Sequence, residues 1–140
     1  MTATLNPYLG FKDNARQAME FYHSVFGGKL DVRTFKDFHA VQDPSEEDLV
    51  MHSSLESDNG ISFFASDTPK RMEWKPGQNF SMSLSGGDED AEELTSYFNK
   101  LADGGMVTMP LEKAVWGDTF GMCTDKFGVN WLVNYGAGQT

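Results

Sequence analysis

Ala15-Arg-Gln-Ala-Met-Glu-Phe-Tyr-His-Ser-Val-Phe-Gly-Gly28 and Ala91-Glu-Glu-Leu-Thr-Ser-Tyr-Phe-Asn-Lys-Leu-Ala-Asp-Gly-Gly105 carry one apolar stripe written twice. In the first copy the stripe is Ala15, Ala18, Tyr22, Val25 and Phe26; in the second it is Ala91, Leu94, Phe98, Leu101 and Ala102, each position shifted by 76. Steps of three and four residues place side chains on one face of an α-helix. A glycine pair ends each copy, because glycine enters the left-handed conformation without steric cost. A helix that recurs at a fixed shift marks a duplicated unit, and the duplication dictates the architecture.

The flanks of the two helices repeat as well. Leu5–Phe11 alternates as a strand, with Leu9 and Phe11 on one face, and Asp13-Asn14 supplies a helix N-cap. Lys29–Lys36 reads as a strand, followed by a polar loop from about His39 to Asp48. Val50–Glu56 and Ile61–Ser66 form a hairpin about Ser57-Asp58-Asn59-Gly60, since Asn-Gly takes positive φ readily. Asp67–Gln78, with Pro69, Pro76 and Gly77, reads as a linker. Then the order recurs. Asn79–Ser85 is a strand, Asp88 to Asp90 caps the second helix, Val107–Met109 is a short strand and Pro110–Asp118 a long loop. Phe120–Thr124 and Val129–Tyr135 close a hairpin about Asp125–Gly128. The expected fold is α+β: two tandem β-α-β-β-β units, at about 4–67 and 79–136, joined by a linker at about 68–78, in one domain over 1–140.

A chain of 140 residues with 39% apolar and 13% aromatic residues can bury such a core. The net charge of −10, with no Lys or Arg cluster to offset it, argues against nucleic acid as a partner. No apolar run is long enough to span a bilayer, so no membrane partner is expected. The start, Met1-Thr-Ala-Thr-Leu5, lacks the pattern of a secretory leader, and the lone Cys123 cannot form an intrachain disulfide. A cytoplasmic location is the expectation.

Five segments carry a resemblance. They are Pro7–Phe11, Glu20–Gly28, Gly104–Pro110, Trp116–Gly121 and Asp125–Trp131. Together, in this order, they resemble the vicinal oxygen chelate superfamily, which includes glyoxalase I and bleomycin-resistance proteins, and within it the PhnB-like branch. The resemblance implies that each unit curls into a half-barrel with its helix on the convex side and that a cavity lies on the concave sides. It also implies a homodimer. Metal-dependent members place four ligands on the first and last strands of each unit. Here those positions read Asn6, Phe64, Asn79 and Leu132. Two amides and two hydrocarbon side chains cannot offset the dehydration of a divalent cation, so no metal is expected. No glycine-rich strand-to-helix loop stands ready for a nucleotide-like cofactor, and none is expected.

Strand alternation and the loop aromatics define the remaining candidates for ligand contact: Tyr8, Ser81, Trp116, Phe120 and Asn134. His52 is the sole histidine in an expected strand and the only candidate acid or base. Phe80, Met82 and Leu84 are expected to face the second helix, and Met51, Met106, Met109 and Met122 to fill the core. The leading reading is a metal-independent small-molecule-binding protein that sequesters a cationic compound. The alternatives are a small-substrate enzyme that uses His52 with cavity asparagines and, with less support, a metal-dependent lyase or dioxygenase.

Overall fold

Both stripes form helices of the expected register. A computed structural model describes residues 3–137; Met1 and Thr2, where the reading of the N-terminus begins, lie outside it. The first unit holds β1 (Tyr8–Phe11), α1 (Ala15–Phe26), β2 (Lys29–Thr34), β3 (Val50–Glu56) and β4 (Ser62–Asp67). The second holds β5 (Met82–Gly86), α2 (Ala91–Ala102), β6 (Met106–Lys113), β7 (Thr119–Thr124) and β8 (Asn130–Tyr135). The chain divides between them after Pro76. Each unit is a four-stranded mixed sheet, ordered β1-β4-β3-β2 and β5-β8-β7-β6, with a parallel pair at one edge and antiparallel pairs elsewhere.

In the first unit, α1 packs Ala18, Met19, Tyr22 and Phe26 onto Leu9, Phe11, Leu55, Phe63 and Ala65, all buried. Phe63 meets Tyr22 and Phe26 edge-on, with centroids 5.5 Å and 6.2 Å apart. Such pairs add about 1 kcal/mol beyond their burial. In the second unit, α2 sets Leu94, Phe98 and Leu101 against Cys123, Trp131 and Val133. The glycines that follow the helices are matched as well. A Cβ at Gly28 would overlap the Glu56 carbonyl, and one at Gly105 the Thr124 carbonyl. Each helix therefore turns back against the end of its unit's hairpin only because glycine stands there.

Two buried carboxylates tie the units internally. Asp67, at the end of β4, accepts the amides of Ala15 and Val50, both at 2.9 Å, and so joins the start of α1 to the start of β3. Asp125 opens the β7–β8 turn and accepts the amides of Phe127 (2.8 Å) and Val129 (3.1 Å) and the Trp131 indole Nε1–H (2.9 Å).

The structure corrects several boundaries. β1 begins at Tyr8, and Leu5 is 98% exposed. Pro7 has no N–H for a ladder; it contributes only its carbonyl, which accepts the Phe64 amide. β5 begins at Met82, which pairs with Trp131; the parallel register then runs out at Asn130, the first residue of β8, so Asn79 and Phe80 have no strand beside them. Phe80 accordingly does not face α2; it precedes the strand and is 58% exposed. β6 is longer than expected and takes in Pro110 and part of the expected loop. Its pairing with β7 slips twice around Met109, which an edge strand tolerates. Met51, Met106 and Met109 are exposed rather than core, and among the described residues Met19 is the methionine that is fully buried.

Candidate functional site

Each sheet has one face covered by its helix and one face without it. On β3 the burial pattern sends Ser53 and Leu55 under α1 and leaves His52, Ser54 and Glu56 on the other face. On β4, Phe63 and Ala65 lie under the helix and Phe64 on the open face; on β1, Leu9 and Phe11 lie under it and Tyr8 and Gly10 opposite. Register then brings three candidates together. Tyr8 pairs with Phe64 across the parallel edge, and Phe64 with Ser54. The Tyr8 hydroxyl stands 3.3 Å from His52 Nδ1. The ring centroids are 5.8 Å apart for Tyr8 and His52, 6.0 Å for Tyr8 and Phe64, and 5.2 Å for His52 and Phe64. Beside Tyr8, a Cβ at Gly10 would meet nothing within 4 Å.

The rest of this face is ionic. Lys29, Asp31 and Arg33 alternate along β2, opposite Glu56, Ser54 and His52 of β3, and five of these residues line a small hollow. Arg33 Nε donates to Asp31 at 3.3 Å. Sequence reasoning missed these residues. The period-2 spacing of residues 29, 31 and 33 was legible, but their alignment with β3 is a pairing across a long loop that no local pattern encodes.

In the second unit, the open face carries Phe120 and Met122 of β7 and Leu132 and Asn134 of β8, with Phe120 opposite Asn134 and Met122 opposite Leu132. Trp116 packs edge-on against Phe120, with centroids 5.4 Å apart. Asn134 Nδ2 donates to the buried Asp118 carboxylate at 3.1 Å. Three candidates stay outside these clusters. Asn6, Asn79 and Ser81 precede their strands, and Asn6 bonds to Thr4 at 3.0 Å. The first-strand residues that lie beside Phe64 and Leu132 are instead Tyr8 and Ser83. The twin of Asn6 is therefore Ser81, not Asn79.

Neither pair, Tyr8 with Phe64 in the first unit or Ser83 with Leu132 in the second, offers an anionic or imidazole donor to a divalent cation; in the first unit His52 is the imidazole beside its pair. At Cys123, burial first, and then the Asp125 charge, push the thiol up to about 11, which disfavours the thiolate near neutral pH.

Comparison with known proteins agrees with this architecture. A family model described as 3-demethylubiquinone-9 3-methyltransferase matches residues 3–134. PA1353 of Pseudomonas aeruginosa is 34% identical and superposes with a TM-score of 0.80, covering 97% of this chain and 99% of its own. A PhnB protein from Bacillus cereus is 25% identical, with a TM-score of 0.71 and coverage of 95% and 99%. A glyoxylase/bleomycin resistance protein/dioxygenase domain from Frankia shares the fold, with 14% identity, a TM-score of 0.64 and coverage of 99% and 94%. The description of the family model implies a methyl donor, and the strand-to-helix turns do not fit a nucleoside-bearing one. After β1 the turn is Lys12-Asp13-Asn14, without glycine. At the end of β5, Gly86 and Gly87 do occur, but the carboxylates of Asp90 and Glu89 fill the space beside them.

Proposed function

From the chain's membership of the PhnB-like branch of the vicinal oxygen chelate superfamily, under the family description 3-demethylubiquinone-9 3-methyltransferase, we propose that it binds a small organic molecule without a metal. The superfamily includes both enzymes and resistance proteins, so membership alone does not choose an activity. The observation that carries the proposal is the open-face cluster of Tyr8, His52 and Phe64. Two aromatic rings and an imidazole give broad contact area with few rotors to freeze, beside the open space at Gly10. In the second unit, Phe120, Leu132, Asn134 and Trp116 supply a comparable surface.

The favoured ligand is a cationic aromatic compound. Ring faces attract cations by about 1 kcal/mol or more each, and the net charge of −10 draws them in. Asn6, Asn79 and Ser81 then act as polar contacts only if a ligand reaches beyond the strands. The homodimer that the resemblance implies belongs to this proposal, and light scattering should return twice the chain mass.

The test is calorimetry with proflavine and with tetraphenylphosphonium, in the presence and absence of a chelator. Micromolar binding indifferent to chelator is expected. Tyr8→Ala and Phe64→Ala should each weaken it by about tenfold, or ~1.4 kcal/mol. Stoichiometric micromolar binding of zinc, nickel or manganese would overturn the metal-independent reading. A second reading rests on the 3.3 Å contact between Tyr8 and His52. A phenol and an imidazole within hydrogen-bond reach can pass a proton. Turnover of a bound compound that His52→Ala abolishes while binding persists would favour that enzyme.

A further inference from the structure

A second concavity lies in the first unit, apart from the open-face cluster. It is a cleft of about 580 Å³ between the end of β1, the turn Ser45-Glu46 and the segment after β4. That volume falls within the range of small-molecule sites. Its walls are held by side chain-to-backbone bonds. Glu46 accepts the Lys70 amide at 2.7 Å, and the Trp74 indole Nε1–H donates to the Gly10 carbonyl at 3.1 Å. Lys70 Nζ adds contacts of 3.2 Å to Asp43 and to Ser45. Asp43 is itself held below the usual carboxylate range, chiefly by the Ser45 amide. These bonds fix residues 68–74, part of a connection that has no helix or strand of its own between β4 and β5. Connections of that length usually serve a function or act as linkers.

The lining combines three chemistries. Leu49, Pro69, Met72 and Trp74 form an apolar wall, with Met72 and Trp74 left exposed. Lys12 brings an ammonium and Asp13 a carboxylate. Consecutive residues of an extended strand point to opposite faces. At Asp13 the backbone leaves that pattern, with φ of 68°, and both residues line the cleft. An aspartate that holds a left-handed conformation puts opposite charges side by side on one lip. The acid on the opposite wall, Glu46, is committed to the Lys70 amide, and Lys70 to Asp43.

We propose that this cleft is a binding site for a zwitterion with a flat apolar body, the chemistry of an aromatic α-amino acid. The ligand carboxylate meets Lys12, its ammonium meets Asp13, and its ring lies against Trp74 and Met72. This reading is independent of the Tyr8–His52–Phe64 surface.

The probe is L-phenylalanine, titrated by calorimetry and by tryptophan emission excited where phenylalanine does not absorb. Saturable binding below about 1 mM is expected, corresponding to ~4 kcal/mol. Glycine, phenethylamine and 3-phenylpropionate, each lacking one element, should bind at least about tenfold more weakly. Trp74→Ala should abolish the signal. Lys12→Ala should weaken phenylalanine but leave phenethylamine unchanged, so a folded charge variant tests the site even if the tryptophan variant unfolds. Tyr8→Phe and His52→Ala should leave the titration unaltered. The proposal is overturned if phenylalanine does not saturate by 10 mM, if Lys12→Ala leaves its affinity unchanged, or if either single-charge analogue binds as well as phenylalanine.

Discussion

Replacement of Asp125 should weaken the hairpin that carries Phe120, Leu132 and Asn134, and the size of the loss can be worked from its bonds. The carboxylate is 3% exposed and accepts two turn amides and the indole N–H of Trp131, a residue that is 1% exposed. Asp125→Ala removes both acceptor oxygens and with them all three bonds. The indole donor is left in the core at a cost of about 2 kcal/mol, and each turn amide, closer to water, loses about 1 kcal/mol. The sum is about 4 kcal/mol, a large share of the roughly 5–15 kcal/mol that holds an ordinary domain. Urea denaturation followed by far-ultraviolet circular dichroism measures it directly, with a fall in Tm of about 8–16 °C alongside. Asp125→Asn is the finer probe. One amide oxygen can still serve the turn, but the NH2 group then confronts the indole N–H, donor against donor, and the cost should be about 2 kcal/mol. In a Trp131→Phe background that clash is gone, so Asn should cost at least about 1 kcal/mol less there. A loss below 1 kcal/mol for Asp125→Ala, or an equal cost of Asn in both backgrounds, would refute the assigned role.

Asp67→Asn should cost about 2–3 kcal/mol in the same assay, because Asn cannot accept from both the Ala15 and Val50 amides without turning its own donors on one of them. Gly28→Ala should cost about 2–4 kcal/mol, since φ is 85° there and the added Cβ overlaps the Glu56 carbonyl; Gly27→Ala, with φ of 70° but open space, should cost only about 1 kcal/mol. Cys123 should react with iodoacetamide at pH 8 about a hundredfold more slowly in the folded chain than in urea. Its folded thiol titrates near 11 against an ordinary 9.0, so the folded chain keeps a proton that the unfolded one releases. The stability this contributes is full below about pH 9 and is lost as pH rises toward 11; melting curves should show the fall, and Cys123→Ala should reduce it.

The amino-acid sequence by itself determined both helices, their shared register, the glycine turns and the β-α-β-β-β order. These are local matters: helical period and positive-φ glycine, the latter at Gly60 and Gly128 in the two hairpin turns, act over a few residues, and the sequence states them twice. It also determined that Leu9 and Phe11 lie beneath the helix, because alternation within one strand needs no partner. Beyond the two hairpins, only the tertiary structure decided which strands stand beside one another. Tyr8 meets Phe64 and His52 through a parallel pairing of β1 with β4 across more than fifty residues of chain, and no local pattern encodes that register. The same holds for the first-strand positions. Asn6 and Asn79 look equivalent on the page, but pairing gives Tyr8 and Ser83 the places beside Phe64 and Leu132. The cleft under Trp74 is the extreme case. Its lysine and aspartate, its thioether and its indole come from segments whose sequence reads as turn and linker, and long-range hydrogen bonds across the unit hold them around one space.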